Sequence, residues 1–243
     1  MSTVAKLIWV EAKLFAREPV AVVFAFAFPL VVLLVLAGVF RGPDTALGGF
    51  TGTDYYLPGY LAVVIASVGL IGLPVHLASL RERGVLRRLR ASSVPVASLF
   101  GSQTVVHLAM AVLGGAVLLL AAGLVYDVRA PASVAGVAAG FLVGALGFVA
   151  LGLLLGTLAP TARAAQALGL VLFFPMWLLS GAGPPRAVMT DAMRRLSDVL
   201  PLTSVVTAIR EPWLGTGSNT AELLALAALA VVAAGLTAWR HAA

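Results

Sequence analysis

The chain contains no cysteine, which excludes disulfides, thiolate metal sites and cysteine nucleophiles. Histidine is scarce, and His76, His107 and His241 lie too far apart to suggest a metal cluster. Charge is scarce too: 11% of the 243 residues carry it, against about 25% in a soluble domain. There is no G-x-x-x-x-G-K-[ST] phosphate loop and no polar segment large enough for a nucleotide domain. Paired carboxylates, an activated nucleophile and a ligand cluster are all missing, which argues against a membrane enzyme. What is abundant is oil: 61% of residues are hydrophobic and the mean hydropathy is +1.05.

A helix needs about 20 apolar residues to cross a bilayer. Six segments reach or approach that length: Val20 to Phe40, Leu57 to Leu80, Gln103 to Val125, Ser133 to Ala159, Ala164 to Gly181 and Ala221 to Trp239. The first is too long for a cleaved signal peptide and reads as a retained helix. The fourth is long enough to hide a break. Lys6, Lys13, Arg17, Arg81, Arg83, Arg87, Arg88, Arg90, Arg163 and Arg240 fall on one side of this arrangement, ten cations against six on the other. The positive-inside rule therefore places both termini and the arginine cluster in the cytoplasm. Phe50, Tyr55, Tyr56 and Tyr60 would then be interfacial anchors at the outer edge of span two, and Tyr126 at that of span three. Two lysines against fourteen arginines, with much Ala, Gly and Val, hint at a bacterial, high-GC and actinobacterial-like source.

The span interiors lack acids. An ion-coupled carrier needs ionisable groups at membrane depth, and here there are only His76, His107, Gln103, Gln166 and some hydroxyls. The two histidines share a depth near the cytoplasmic end; packing between helices accounts for them better than a proton relay. Gly136, Gly140, Gly144, Gly152 and Gly156 form a ridge in span four that lets another helix approach closely, within the bundle in preference to a dimer seam.

Residues 1–19 read as an interfacial amphipathic helix. Lys6, Lys13 and Arg17 share a stripe suited to acidic headgroups, while Glu11 and Glu18 fall on its apolar side. Those acids are either partly exposed or paired with arginines of a loop or partner. Between spans two and three, RERGVLRRLR packs five arginines into ten residues. It has no aromatic and is too short for a nucleic-acid module. A short helix after Gly84 carries Val85, Leu86 and Leu89 on one face and Arg87, Arg88 and Arg90 on the others. It is either a lipid anchor or a docking element for a soluble partner. After span five, Met189, Met193, Leu196 and Leu200 recur at helical spacing, and Pro201 starts a second helix with Leu202, Val205, Val206 and Ile209 on one face.

The run Arg81-Glu82-x-Gly84-x-Leu86-x-Arg88-Leu89-Arg90-Ala91-Ser92 resembles the loop between spans two and three of ABC type-2 transporter permeases, including the daunorubicin-resistance type. Tyr55-Tyr56-Leu57-Pro58-Gly59 is similar to that family's approach to span two. Thr161 to Ala167, with Phe173-Phe174-Pro175, resembles its span five. The most specific signature is Leu179-Ser180-Gly181-Ala182-Gly183-Pro184-Pro185, followed by Leu200-Pro201-Leu202-Thr203 and Arg210. Ser93 stands where a proline is common, and Ala182-Gly183 is less bulky than the usual aromatic pair.

The resemblance implies an all-α membrane protein with six transmembrane helices, an N-terminal interfacial helix, a short cytoplasmic coupling helix and two short outer helices. It implies one domain over 1–243: interfacial helix 1–19, spans one to five within 20–182, outer re-entrant helices within 183–220 and span six over 221–239. It implies an ATPase-coupling site at Glu82, Arg83, Gly84, Leu86, Arg87, Arg88, Leu89 and Arg90, and an outer gate at Pro58, Gly59, Ser180, Gly181, Pro184, Pro185, Pro201 and Arg210. The expected protein is a permease subunit of a plasma-membrane exporter for an amphiphilic or hydrophobic substrate, a drug or lipid-linked product. Expected partners are a separate ABC ATPase holding ATP and Mg, a second permease copy in a homodimer, and membrane lipids, with no nucleic acid. This chain itself would bind no cofactor. The rival readings are an ion-coupled secondary carrier and a membrane anchor that signals through the ATPase.

Overall fold

The computed structural model describes residues 13, 22–85 and 96–242. Among them the architecture is helical, with one isolated antiparallel bridge, Asp44 to Phe50, in the loop after the first helix. We label the helices α1 (Val23–Val39), α2 (Gly52–Glu82), α3 (Val96–Val125), α4 (Val134–Leu158), α5 (Ala162–Leu179), α6 (Asp191–Asp198), α7 (Pro201–Leu214) and α8 (Thr220–Ala242). Five of these, α2, α3, α4, α5 and α8, are long and apolar enough to cross a membrane; α1 reaches 17 residues over its described part. The fourth segment contains no break: α4 runs continuously from Val134 to Leu158.

The helix starts follow from local chemistry. Thr51 caps α2, its Oγ1 accepting from the Asp54 N–H at 3.2 Å and donating to the Asp54 carboxylate at 2.9 Å. Ser133, Thr161 and Thr190 accept from backbone N–H groups at the starts of α4, α5 and α6 in the same way. Each satisfies one donor that a helix N-terminus otherwise leaves open. Pro201 occupies the first turn of α7, where its missing N–H costs nothing. Gly215 ends that helix with a φ of 72°, a left-handed conformation that glycine adopts freely.

Helix α2 is the axis of the bundle. Its most apolar stretch is wholly buried, whereas α3, α5 and α8 remain largely exposed along theirs. Apolar side chains gain little by leaving lipid for protein, so close backbone approach must hold α2 in place. Glycines provide that approach at a π-helical turn, Val68–Gly72, in the middle of α2. A Cβ on Gly152 of α4 would lie 2.1 Å from the Gly69 carbonyl oxygen, and one on Gly169 of α5 would lie 2.2 Å from that of Leu70. The α4 glycine ridge thus packs within the bundle. Its Gly152 and Gly156 meet α2, while Gly136, Gly140 and Gly144 meet Pro212, Ala208 and Val205 of α7.

Two expectations are corrected. Tyr55, Tyr56 and Tyr60 are not lipid-facing anchors: all three are buried, Tyr60 completely. The reason is that they lie on the central helix, where Tyr60 packs toward α5 and its hydroxyl accepts from Trp177 Nε1 at 3.3 Å. Tyr126 likewise turns inward and donates to the Leu34 carbonyl of α1 at 2.6 Å. The second concerns the apolar residues spaced at helical intervals after α5, which are not all buried. In α7, Leu202, Val205, Val206 and Ile209 are buried against the bundle, while on α6 Leu196 and the neighbouring Val199 are exposed. Ser197 is the residue α6 buries, because its hydroxyl meets Thr203 Oγ1 at 3.2 Å and accepts from Arg186 at 3.0 Å.

Candidate functional site

Among the described residues, most of those singled out from sequence lie near the two ends of α2. At the end that carries its N-terminus, hereafter the far end, Arg210 of α7 reaches across to two other elements. Its Nε donates to the Tyr55 carbonyl at 3.2 Å and its Nη2 to the Gly181 carbonyl at 2.8 Å. The guanidinium also stands 3.9 Å above the Tyr55 ring, within cation–π range. Gly59, one turn along α2, leaves the room for this: a Cβ there would lie 2.8 Å from Arg210 Nη2. Gly181 takes a φ of 79°, and a Cβ on it would meet the Arg186 side chain at 3.2 Å. The start of α2, the end of α5 and the body of α7 are therefore tied by one cation.

The rest of the expected gate divides. Pro58 is buried in α2 beside Gly59. Ser180 is buried and its hydroxyl donates to the Trp177 carbonyl at 3.1 Å, holding the turn that presents Gly181. Pro185 is buried at the start of a single 3₁₀ turn, Arg186–Val188, whereas Pro184 is exposed. Pro201 stands apart at the start of α7. The cluster borders an open polar cleft of about 470 Å³ lined in part by Tyr55, Arg186, Thr207, Arg210, Glu211 and Glu222. Burial, and then the nearby Glu222 carboxylate, push the Glu211 carboxyl above its usual range.

At the opposite, near end, α2 finishes in Arg81-Glu82, and this pair spans a helix–helix junction. Arg81 Nη1 donates to the Ala159 carbonyl at 2.9 Å and Nη2 to the Gly156 carbonyl at 2.8 Å. Those are carbonyls that the C-terminus of α4 leaves unpaired. Glu82 Oε1 accepts from the Ala162 N–H at 3.2 Å, at the N-terminus of α5. Cation meets the negative end of one helix and anion the positive end of the next, so both charges suit the local dipoles. Arg83 closes α2, and Gly84 follows with a φ of 70° and open space where a Cβ would stand. Leu86, Arg87, Arg88, Leu89 and Arg90 lie outside the described residues, as do Lys6, Glu11, Arg17 and Glu18; Lys13 is helical and exposed.

His76 and His107 do approach one another, with ring centroids 6.1 Å apart, and both are buried. His107 Nδ1 lies 2.9 Å from the Gln103 carbonyl one turn back on α3. Three contributors escaped the sequence reading. Arg81 was visible in the arginine motif, but its partners are backbone carbonyls, which leave no trace in side-chain pattern. Arg186, counted only as a loop charge, bonds Ser197 at 3.0 Å and Asp198 at 2.5 Å. Asn219 donates to the Gly136 and Ala208 carbonyls at 2.9 and 2.8 Å, joining α4, α7 and the start of α8. Its signal was a lone amide just before an apolar run.

Against known proteins, a family model described as ABC-2 type transporter matches residues 3–213, most of the chain and both ends of α2. No curated protein matches it.

Proposed function

We propose a function on one established premise: the chain belongs to the ABC-2 type transporter family. It is accordingly a multi-pass membrane protein and an ABC permease, a transport subunit and not an enzyme with its own catalytic site. Our reading is that it forms the path of an exporter of the daunorubicin-resistance kind, for an amphiphilic or hydrophobic substrate. A separate ABC ATPase, carrying ATP and Mg, drives it from the cytoplasmic side of the plasma membrane. Two copies of the permease pair around the path, and the near end and both termini face the cytoplasm.

The Arg81-Glu82 bracket carries this reading. The loop that follows it, Arg83 and Gly84 with residues 86–90, is the expected ATPase contact, whereas Glu82 is turned to the start of α5. Force applied there enters α2 at Arg81 and Glu82, and three hydrogen bonds pass it to the α4–α5 junction. A helix of 31 residues, about 46 Å at 1.5 Å per residue, carries it to Tyr55 and Gly59. There the Arg210 contacts either hold or part, and the far end closes or opens. Glu82 thus acts as a joint inside the permease while its neighbours face the ATPase.

The test is uptake of an amphiphilic dye into inverted vesicles containing the permease and its ATPase. Accumulation that needs ATP hydrolysis, and disappears when the ATPase is deleted, is the expected result. Accumulation indifferent to ATP but abolished by collapsing the proton gradient would instead make the protein a secondary carrier.

A further inference from the structure

At the far end, the last residues of α1 and α3 and the start of α2 border an open cleft of about 720 Å³. That volume suits a small ligand or a lipid headgroup. Two contacts bring the three helix ends together. The Gly52 N–H donates to the Phe40 carbonyl at 2.7 Å, and the Tyr126 hydroxyl donates to the Leu34 carbonyl at 2.6 Å. Helices α2 and α3 are long and apolar enough to cross a membrane, so their ends at the cleft lie at its interface. Val125, the last residue of α3, lines the cleft and is exposed, as is its neighbour Leu124. Charge therefore gives way to lipid-facing apolar surface within a few residues.

Four charged side chains line this cleft: Arg41, Asp54, Asp127 and Arg129. Two are cations and two are anions, yet among the described residues none of the four joins an ion pair. Arg41 Nε donates to the Gly38 carbonyl at 3.2 Å, which leaves both terminal nitrogens for another acceptor. Asp54 Oδ2 accepts from the Thr51 hydroxyl at 2.9 Å, which leaves Oδ1. Asp127 and Arg129, just past α3, are exposed, and their side chains bond to no described residue. An anionic headgroup gains little here, because two carboxylates offset two guanidinium groups. A zwitterion can satisfy both kinds of charge at once. Guanidinium nitrogens bind phosphate oxygens in pairs, and a carboxylate accepts from an ammonium that carries N–H donors. A choline headgroup has no such donor and is recognised by cages of aromatic rings. Tyr126 is the one ring among the described residues lining the cleft, and its hydroxyl is turned to α1.

We propose that this cleft seats the headgroup of a phospholipid with a primary ammonium, of the phosphatidylethanolamine type, from the leaflet at the far end. Its phosphate meets Arg41 and Arg129, its ammonium meets Asp54 and Asp127, and its acyl chains leave past Val125. The seat rests only on the chain spanning a membrane, so it stands or falls apart from the exporter reading. Asp54 directly precedes Tyr55, whose carbonyl Arg210 holds, so the lipid binds beside the far-end contacts.

Full-length permease reconstituted in phosphatidylcholine vesicles tests it. The vesicles carry a trace of phosphatidylethanolamine, phosphatidylcholine or phosphatidylglycerol with a photoreactive group at the glycerol end of one acyl chain, and adducts are mapped by mass spectrometry. Adducts on 37–41, 51–54 and 125–129 should be about fivefold more abundant with the ethanolamine than with the choline lipid, the value of one hydrogen bond. The glycerol lipid should label no more than the choline lipid. Asp127→Asn should erase the ethanolamine preference and leave choline-lipid labelling unchanged. Arg129→Gln should lower labelling by both about fivefold, because both carry the phosphate. Both side chains are exposed, so unfolding in detergent should match wild type for either variant. Equal labelling by all three lipids, an ethanolamine preference that survives Asp127→Asn, or labelling indifferent to Arg129→Gln overturns the seat. Glycerol-lipid labelling above that of the ethanolamine lipid would make the cleft an anionic-lipid site and overturn it too. Adducts competed away by soluble glycerophosphoethanolamine would assign the cleft to a free zwitterion and overturn the lipid source.

Discussion

Arg81 and Arg210 both spend their guanidinium groups on backbone carbonyls, yet the two ends of α2 are built differently. Arg81 binds two carbonyls of the same helix end, beside a carboxylate that serves the neighbouring helix start. Arg81 and Glu82 each face a helix dipole of opposite sign. Arg210 instead binds one carbonyl from α2 and one from the turn after α5, and lies over a tyrosine ring. No carboxylate is bonded to it among the described contacts. The near end reads as a joint that moves as a unit, and the far end as a latch whose two partners can separate. One central helix, with a π-helical turn at its middle, connects them.

The contrast can be broken from its strongest side first. Arg210→Ala removes the donor that bridges the Tyr55 and Gly181 carbonyls and leaves the Gly181 carbonyl without it, so it should cost about 3 kcal/mol of stability and most of the transport. Thermal unfolding in detergent and dye uptake would read the two effects. Arg210→Lys should recover little, because a point ammonium cannot serve two separated carbonyls and stack on Tyr55 at once. Next comes Gly59→Val, whose Cβ would collide with Arg210 Nη2. It should destabilise by about 1–3 kcal/mol, and pairing it with Arg210→Ala should give less than the sum of the two losses.

Arg81→Ala is expected to be milder in stability, about 1 kcal/mol, because the junction is only part-buried and water can reach the freed carbonyls. Its larger effect should be on the ratio of transport to ATP hydrolysis. Glu82→Gln keeps an acceptor for the Ala162 N–H and loses only the charge at a helix start, so a change of about 0.5 kcal/mol or less is expected in the same melt. A Glu82→Gln effect as large as that of Arg210→Ala would erase the distinction between joint and latch.

Much of this was legible in the sequence because spans and motifs are written in side chains. The apolar runs found α2 to α5 and α8, and Pro58-Gly59, Ser180-Gly181 and Arg210, grouped from their motifs, lie near one another. Hydropathy could not say which span is central, since a lipid-facing and a protein-facing leucine look alike in a membrane chain. Tyr55, Tyr56 and Tyr60 were misplaced for that reason. The partners of Arg81 were invisible because carbonyls belong to every residue. Leu196 is exposed and Ser197 buried because the Arg186–Ser197–Thr203 contacts outweigh helical phase over two short turns.

The central claim is that motion at the arginine loop reaches the rest of the permease through Arg81 and Glu82. The most direct measurement is substrate moved per ATP hydrolysed, in vesicles holding the permease with its ATPase, for wild type and for Arg81→Ala combined with Glu82→Ala. The account predicts that the double variant still co-purifies with the ATPase and still hydrolyses ATP, while transport per ATP falls at least about tenfold, a loss of roughly 1.4 kcal/mol of coupling. An unchanged ratio in a correctly inserted double variant would contradict it.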